Sequence, residues 1–227
     1  MALRYPGDME TTEFQRARSP EAKRQREVAI LDAARELGAR QGIRQITLTE
    51  IAAAVGMHKS ALLRYFETRE EIFLRLTAEG WHEWTGVLAA RIRTLPDAGP
   101  ADIAEAFAAT LAARGMFCDL LAQAPLNLER NVSIEAVREF KLATFAARED
   151  LFTALEERLP ELDQVDALDL IATAVSLAGA FWQIATPGPD VAELYRSDPR
   201  LGHAVIEVEP RLARILTATL VGMLRRG

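Results

Sequence analysis

The stretch Leu48–Phe66, LTEIAAAVGMHKSALLRYF, reads as two short helices with a tight turn between them. Thr47-Leu48-Thr49-Glu50 is a capping-box pattern, in which a hydroxyl meets a free amide and the glutamate reaches back to the cap. Ile51 and Val55 supply apolar anchors, and Ala52 is small enough to let another helix approach. Gly56 tolerates positive φ and ends the first helix. The turn Val55-Gly56-Met57-His58 leads into a helix over Lys59–Tyr65, anchored by Leu62 and Phe66. Two helices joined by about four residues with a glycine in the turn are the pattern of a helix-turn-helix. Its second helix would lie in a DNA major groove and present Lys59, Ser60, Leu63 and Arg64. Lysine, serine and arginine donate hydrogen bonds to phosphates or base edges. A structural helical hairpin is the other reading; it does not need this mixture but can carry it.

Working outward, a helix is expected over Pro20–Gln41, capped by Ser19, with Pro20 at its first position and Gly42 as its stop. Val28, Ile30, Leu31, Ala34 and Leu37 form its apolar stripe. Thr68-Arg69-Glu70-Glu71 is a second capping box and opens a long helix through Ile92, broken by Pro96, Gly99 and Pro100. Further helices are expected over Pro100–Arg114, Met116–Gln123, Ser133–Leu159, Leu162–Thr186 and Glu209–Arg226. The stretch TPGPDVAELYRSDPRLGH separates the last two. No run alternates apolar and polar residues with β-branched enrichment, so the expected class is all-α. The expected organisation is a tail over 1–18, a DNA-binding domain over 19–75 and a body over 76–227, joined inside the long helix.

Charge divides the chain in the same place. Residues 16–64 hold ten Lys/Arg against five acids, leaving −11 on the remainder of a chain of net charge −6. A basic module on an acidic body has one end suited to an anionic partner. The cluster Arg16, Arg18, Lys23, Arg24 and Arg26 either reaches phosphates or forms a solvated face. One cysteine, Cys118, permits no intrachain disulfide and fits a reducing, cytoplasmic setting. The N-terminal stretch lacks an apolar signal core. The uncharged run Leu170–Pro189 ends in Pro-Gly-Pro, so its apolar helix is expected to fall short of the ~20 residues that span a bilayer.

Over Gly42–Phe73, GIRQITLTEIAAAVGMHKSALLRYFETREEIF, the chain resembles the TetR family of bacterial transcriptional regulators. The matching residues are Thr47, Ile51-Ala52, Gly56, Lys59, Tyr65-Phe66 and Arg69-Glu70-Glu71. The resemblance implies that Thr47 and Thr49 touch the DNA backbone, that His58, Lys59, Ser60 and Arg64 face the groove, and that Tyr65 and Arg69 meet phosphates. His58 has a second reading as a helix cap, and Arg69 as a solvated helix-start cation. Leu63 departs from the family, which usually has Tyr there; leucine cannot donate to a phosphate but packs against a thymine methyl.

The resemblance also implies a C-terminal body that binds a small molecule and dimerises through its last two long helices. Leu170–Ala185 is apolar nearly all round, and the final helix offers Leu212, Ile215, Leu216, Leu220 and Met223. Two helices from each subunit would make a four-helix interface and predict a near-palindromic operator; an intramolecular core is the alternative. Candidate effector contacts are Trp81, Trp84, Phe107, Met116, Phe117, Cys118, Phe145, Phe181, Trp182 and Gln183, a set suited to a hydrophobic or aromatic compound. Asn127, Glu129, Arg130 and Asn131 read as a loop with its own hydrogen bonds.

Enzyme readings find little. There is no G-x-S-x-G, no Gly-rich phosphate loop and no H-E-x-x-H. His58, His82 and His203 are scattered without metal-ligand spacing, so no catalytic residue, metal or cofactor is expected.

Overall fold

The computed structural model describes residues 20–96 and 98–225; Ser19, Arg16 and Arg18 lie outside them. Those residues form eleven α-helices and no strand. Three build the N-terminal module: α1 (Pro20–Gln41), α2 (Leu48–Ala54) and α3 (Lys59–Leu62). The long α4 (Arg69–Thr94) leaves that module and enters the body. The body adds α5 (Pro100–Ala112), α6 (Gly115–Gln123), α7 (Ile134–Ala147), α8 (Glu149–Arg158), α9 (Gln164–Ala185), α10 (Pro189–Ser197) and α11 (Val208–Leu224).

Local chemistry accounts for the module's boundaries. Gly42 (φ 76°) turns the chain out of α1, and Gly56 (φ 64°) turns it between α2 and α3. The Thr47 hydroxyl accepts from the Glu50 amide while the Glu50 carboxylate accepts from the Thr47 amide, so the capping box forms as expected. Thr68 caps α4 by accepting from the Glu71 amide. The buried face of α1 is Ile30, Leu31, Ala34 and Gly38. Val28 is half exposed, because two residues turn the helix about 200° away from Ile30. Helix α3 is shorter than expected, and turn-like bonds from Arg64 N to Ala61 O and Tyr65 N to Leu62 O carry the chain onward.

Helix α4 is the spine of the molecule. It buries Ile72, Phe73, Leu76, Trp81, Trp84, Leu88 and Ile92. Trp84 is fully enclosed, and its indole N–H donates to the Thr110 hydroxyl at 3.1 Å. Edge-on contacts join Trp84 to Trp81 and to Phe107. Helix α11 packs chiefly on α5 and α9, and α6 packs on α9. Gly179 permits that second approach: a Cβ there would sit 3.0 Å from the Ala122 backbone nitrogen.

Three expectations about the body are corrected. The helix expected over Ser133–Leu159 is two helices, α7 and α8, meeting at Arg148. The bend lets both lie against α4, where Arg93 grips Asp150 (2.7 Å) and Glu157 (3.1 Å) from α8. No glycine or proline marks it. The separator after Thr186 contains α10, started by Pro189 at its first turn, with no buried residue. Helix α9 runs 22 residues, long and apolar enough by length and composition to cross a membrane. Its Leu170, Ile171, Ala174, Ala178 and Phe181 are buried against the rest of the body.

Candidate functional site

The N-terminal module presents one outward corner. Thr49, His58, Lys59, Ser60, Leu63 and Arg64 are all exposed there. Lys59 and Arg64 have no ion-pair partner among the described residues, so two cations stand free at the start of α3 and just after its end. Leu63, 43% exposed, gives the same face an apolar point. Ile51, Ala52, Leu62 and Phe66 anchor the opposite side in the core. The corner therefore combines free cations, a hydroxyl and one apolar side chain on a short helix braced from behind. That arrangement suits phosphate neutralisation together with contact to base edges.

Four residues in the expected set have local duties. The Thr47 hydroxyl belongs to the capping box. His58 is the cap of α3: its Nδ1 lies 2.8 Å from the Ser60 hydroxyl and accepts from the Ser60 amide. Tyr65 is half buried against the core. Arg69 is committed inside the module, where its Nε donates to Ile46 O and its Nη2 to Ile43 O. Nη1 pairs with Glu70, and the guanidinium lies 5.0 Å from the Phe73 ring centroid. With 16% of its side chain exposed, Arg69 holds the loop before α2 onto α4.

A second tie joins module to body. Asp119 on α6 is buried; its Oδ2 accepts the Ile43 amide at 3.0 Å, and its Oδ1 accepts from the Gln183 side-chain amide at 2.8 Å. One carboxylate thus links α6, α9 and the loop that precedes the helix-turn-helix. Nothing in the sequence pattern singles out Asp119.

The ten candidate effector contacts do not converge on one space. Trp84, Phe107 and Cys118 are fully enclosed core residues and, with Phe181, line none of the three cavities that hold the other six. Burial pushes the Cys118 thiol up to about 12, so it stays neutral. Phe181 is buried under Arg211. Met116 and Phe117 line a groove of about 550 Å³ between α1, α4 and α6. Trp182 and Gln183 border a more polar space of about 670 Å³ beside Gly42 and Arg44. Trp81 and Phe145 face a third cavity, about 490 Å³, between α4, α6, α7 and α9.

That third cavity has Phe140, Leu121, Ile171 and Val175 among its apolar walls. Its polar groups are Thr144, Ser176, Lys141, Glu129 and Arg148. Lys141 and Glu129 are paired at 2.7 Å, while Asn131 bonds back to Asn127, so the expected loop does hold itself together. Composition flagged the aromatic walls; Arg148 was hidden inside an unbroken helical pattern. The volume lies within the range of small-molecule sites. No cluster of His, Cys, Asp or Glu among the described residues could hold a metal ion.

The comparisons with known proteins fit this division. Residues 30–76 match the model for bacterial regulatory proteins of the tetR family, and residues 78–227 match the tetracyclin repressor-like C-terminal domain. The chain belongs to the TetR family. It is a DNA-binding transcriptional regulator with an N-terminal helix-turn-helix domain and a C-terminal helical domain. Among solved structures, the TetR-family fold is shared with the fatty acid degradation regulator FadR from Bacillus halodurans. The two are 17% identical, covering 88% of this chain and 96% of that one, with a TM-score of 0.51. It is shared also with a putative TetR-family transcriptional regulator from Mesorhizobium loti MAFF303099. There the identity is 12%, the coverage 90% and 97%, and the TM-score 0.50. A search of curated proteins gives no match.

Proposed function

We propose that this TetR-family chain works as a homodimeric repressor released from a near-palindromic operator by a small hydrophobic or aromatic effector. The observation that carries the effector reading is the 490 Å³ aromatic-walled cavity, which opens onto α4, the helix that begins in the DNA-binding module. A regulator controlled only by a protein partner or by abundance has no use for such a space. The domain junction falls within α4, near residues 75–79. Lys59, Ser60, Leu63 and Arg64 contact DNA, with Thr47, Thr49 and Tyr65 beside the backbone. His58 acts through the cap of α3, and Arg69 stays inside the module.

The dimer rests on the outward face of α9; the apolar residues expected to serve it on the final helix, Leu212, Leu216, Leu220 and Met223, are buried within the chain, where α11 packs on α5 and α9. Val165 (67% exposed), Leu168 and Ile184 stand there with the small, exposed Ala180 between them. A stripe of this kind on a long helix is suited to a close-packed partner helix. Two recognition helices held by one interface then fit successive grooves only at one spacing, and a ligand that prefers another spacing lowers operator affinity by its differential affinity.

The test is a fluorescence-anisotropy titration against DNA fragments flanking the gene, at two salt concentrations. The expected result is saturable binding to one fragment that weakens steeply with salt, followed by release on adding an effector. Equal affinity for operator with and without every cavity-binding compound would end the switching model.

A further inference from the structure

We infer that the effector is an organic anion, an apolar body carrying a carboxylate, and that Arg148 receives the carboxylate. This rests on the reading of the 490 Å³ cavity as the effector site. Arg148 sits at the bend between α7 and α8, where it closes one helix and opens the next. Its Nε is buried and has no hydrogen-bond partner, the one such side-chain nitrogen or oxygen among the described residues. The guanidinium makes no ion pair among those residues and stands 5.6 Å from the Phe145 ring centroid. Buried polar groups are satisfied as a rule, so a guanidinium with a buried nitrogen left without an acceptor, on a residue that lines the cavity, calls for one from outside the chain.

Two acids of α8 and the one acid of the cavity wall are already engaged elsewhere. Asp150 and Glu157, the acids of α8 on the α4 side, are both held by Arg93. Glu129, the one acid in the cavity wall, is held by Lys141. The wall therefore carries one uncompensated positive charge inside a body that is strongly acidic. A neutral hydrophobic compound would fill the aromatic part and leave Arg148 as it is. A carboxylate supplies the missing acceptor in the geometry a guanidinium fork favours, and the acidic exterior disfavours anions everywhere else. The remaining wall, Trp81, Phe140, Phe145 and Ile171, receives the apolar body.

The experiment uses the full chain and matched probe pairs that differ only in the head group: octanoate against octanol, and 2-naphthoate against 2-naphthalenemethanol. Binding is read by tryptophan fluorescence, since Trp81 lines the cavity. For the wild type, each carboxylate is expected to bind at least about tenfold more tightly than its alcohol. Arg148→Met, which keeps the apolar stem, is expected to bring each pair within about threefold by weakening the acid alone. Arg148→Lys, which keeps the charge, is expected to retain part of the preference. Circular dichroism and sedimentation accompany both variants. Equal affinity of acid and alcohol in the wild type overturns the anion assignment while leaving the cavity as the effector site. A preference that survives in Arg148→Met overturns the role of Arg148. If no probe of either kind binds, the effector-cavity reading falls and the anion assignment falls with it. If Arg148→Met turns a dimer into a monomer, the missing acceptor belongs to a second copy of the chain, and the proposal is likewise overturned.

Discussion

Replacing Asp119 tests how the body is fastened to the DNA-binding module. Its two carboxylate oxygens serve different elements: Oδ2 takes the Ile43 amide, and Oδ1 takes the Gln183 side chain. Ile43 is fully buried, so in Asp119→Ala its amide loses the one protein acceptor it has. A stranded buried donor costs about 1–3 kcal/mol. Gln183 is partly exposed and can turn its amide to solvent, which adds little. The sum is about 2 kcal/mol. For a chain of this length that corresponds to a fall in Tm of roughly 4–8 °C. Asp119→Asn behaves differently. Its remaining oxygen still accepts the Ile43 amide, and its new amide can donate to Gln183 once that side chain turns over. It loses charge assistance alone, about 1 kcal/mol, or roughly 2–4 °C.

Differential scanning calorimetry should therefore rank wild type above Asp119→Asn, and Asp119→Asn above Asp119→Ala. The same variants should separate stability from signalling. With the tie cut, α4 remains the continuous connection, so in the proposed switch Asp119→Ala binds effector normally but transmits less of it to the operator. The coupling is the ratio of operator affinities with and without effector, and it should shrink in Asp119→Ala and largely return in Asp119→Asn. An Asp119→Ala protein melting within about 1 °C of wild type, or melting above Asp119→Asn, would refute the reasoning from the stranded amide.

Two glycines of α4 should respond to alanine with opposite signs. Gly86 is exposed, and a Cβ added there would meet nothing within 4 Å, so Gly86→Ala should gain about 0.5–1 kcal/mol from helix propensity. A Cβ on Gly80 would lie 2.4 Å from the Phe117 ring, so Gly80→Ala should lower Tm, with about 1–3 kcal/mol of overpacking outweighing the same propensity gain. Cys118 should resist a thiol reagent at pH 8 in the native protein and react promptly in denaturant, because burial raises its pKa to about 12; rapid native labelling would contradict its enclosure. Lys59→Ala should reduce the slope of log K against log salt for operator binding by about one. Arg69→Ala should leave that slope unchanged and lower Tm by roughly 4–8 °C, the cost of about 2 kcal/mol for two carbonyls losing a charged donor. A slope change in Arg69→Ala would restore its expected role at a phosphate.

The contrast between these residues explains what the sequence made legible. Helix starts and stops were readable because their causes are local: Thr47 with Glu50, Thr68 with Glu71, and Gly42 and Gly56 at positive φ act within four residues of chain. Exposure of Lys59, Ser60, Leu63 and Arg64 follows from helical periodicity once Leu62 and Phe66 face the core. Arg69 looked like a free helix-start cation because the carbonyls it serves belong to residues 23 and 26 positions earlier. Asp119 was invisible for the same reason, its partners lying 76 and 64 positions away. The break at Arg148 carried no signal, since neither residue type nor spacing departs from helix there; it accompanies the packing of both α7 and α8 on α4, far away in sequence. Aromatic content pointed to a cavity but could not divide its ten candidates, because Trp84 and Trp81 lie three residues apart on one helix, and only the packing of α5 and α7 seals one and opens the other. The polar residues that act across long separations, Asp119 between the domains and Arg148 at the cavity, are thus the ones that periodicity cannot find. In the proposed switch, those are also the residues through which a ligand-dependent change in the body would reach the helix-turn-helix.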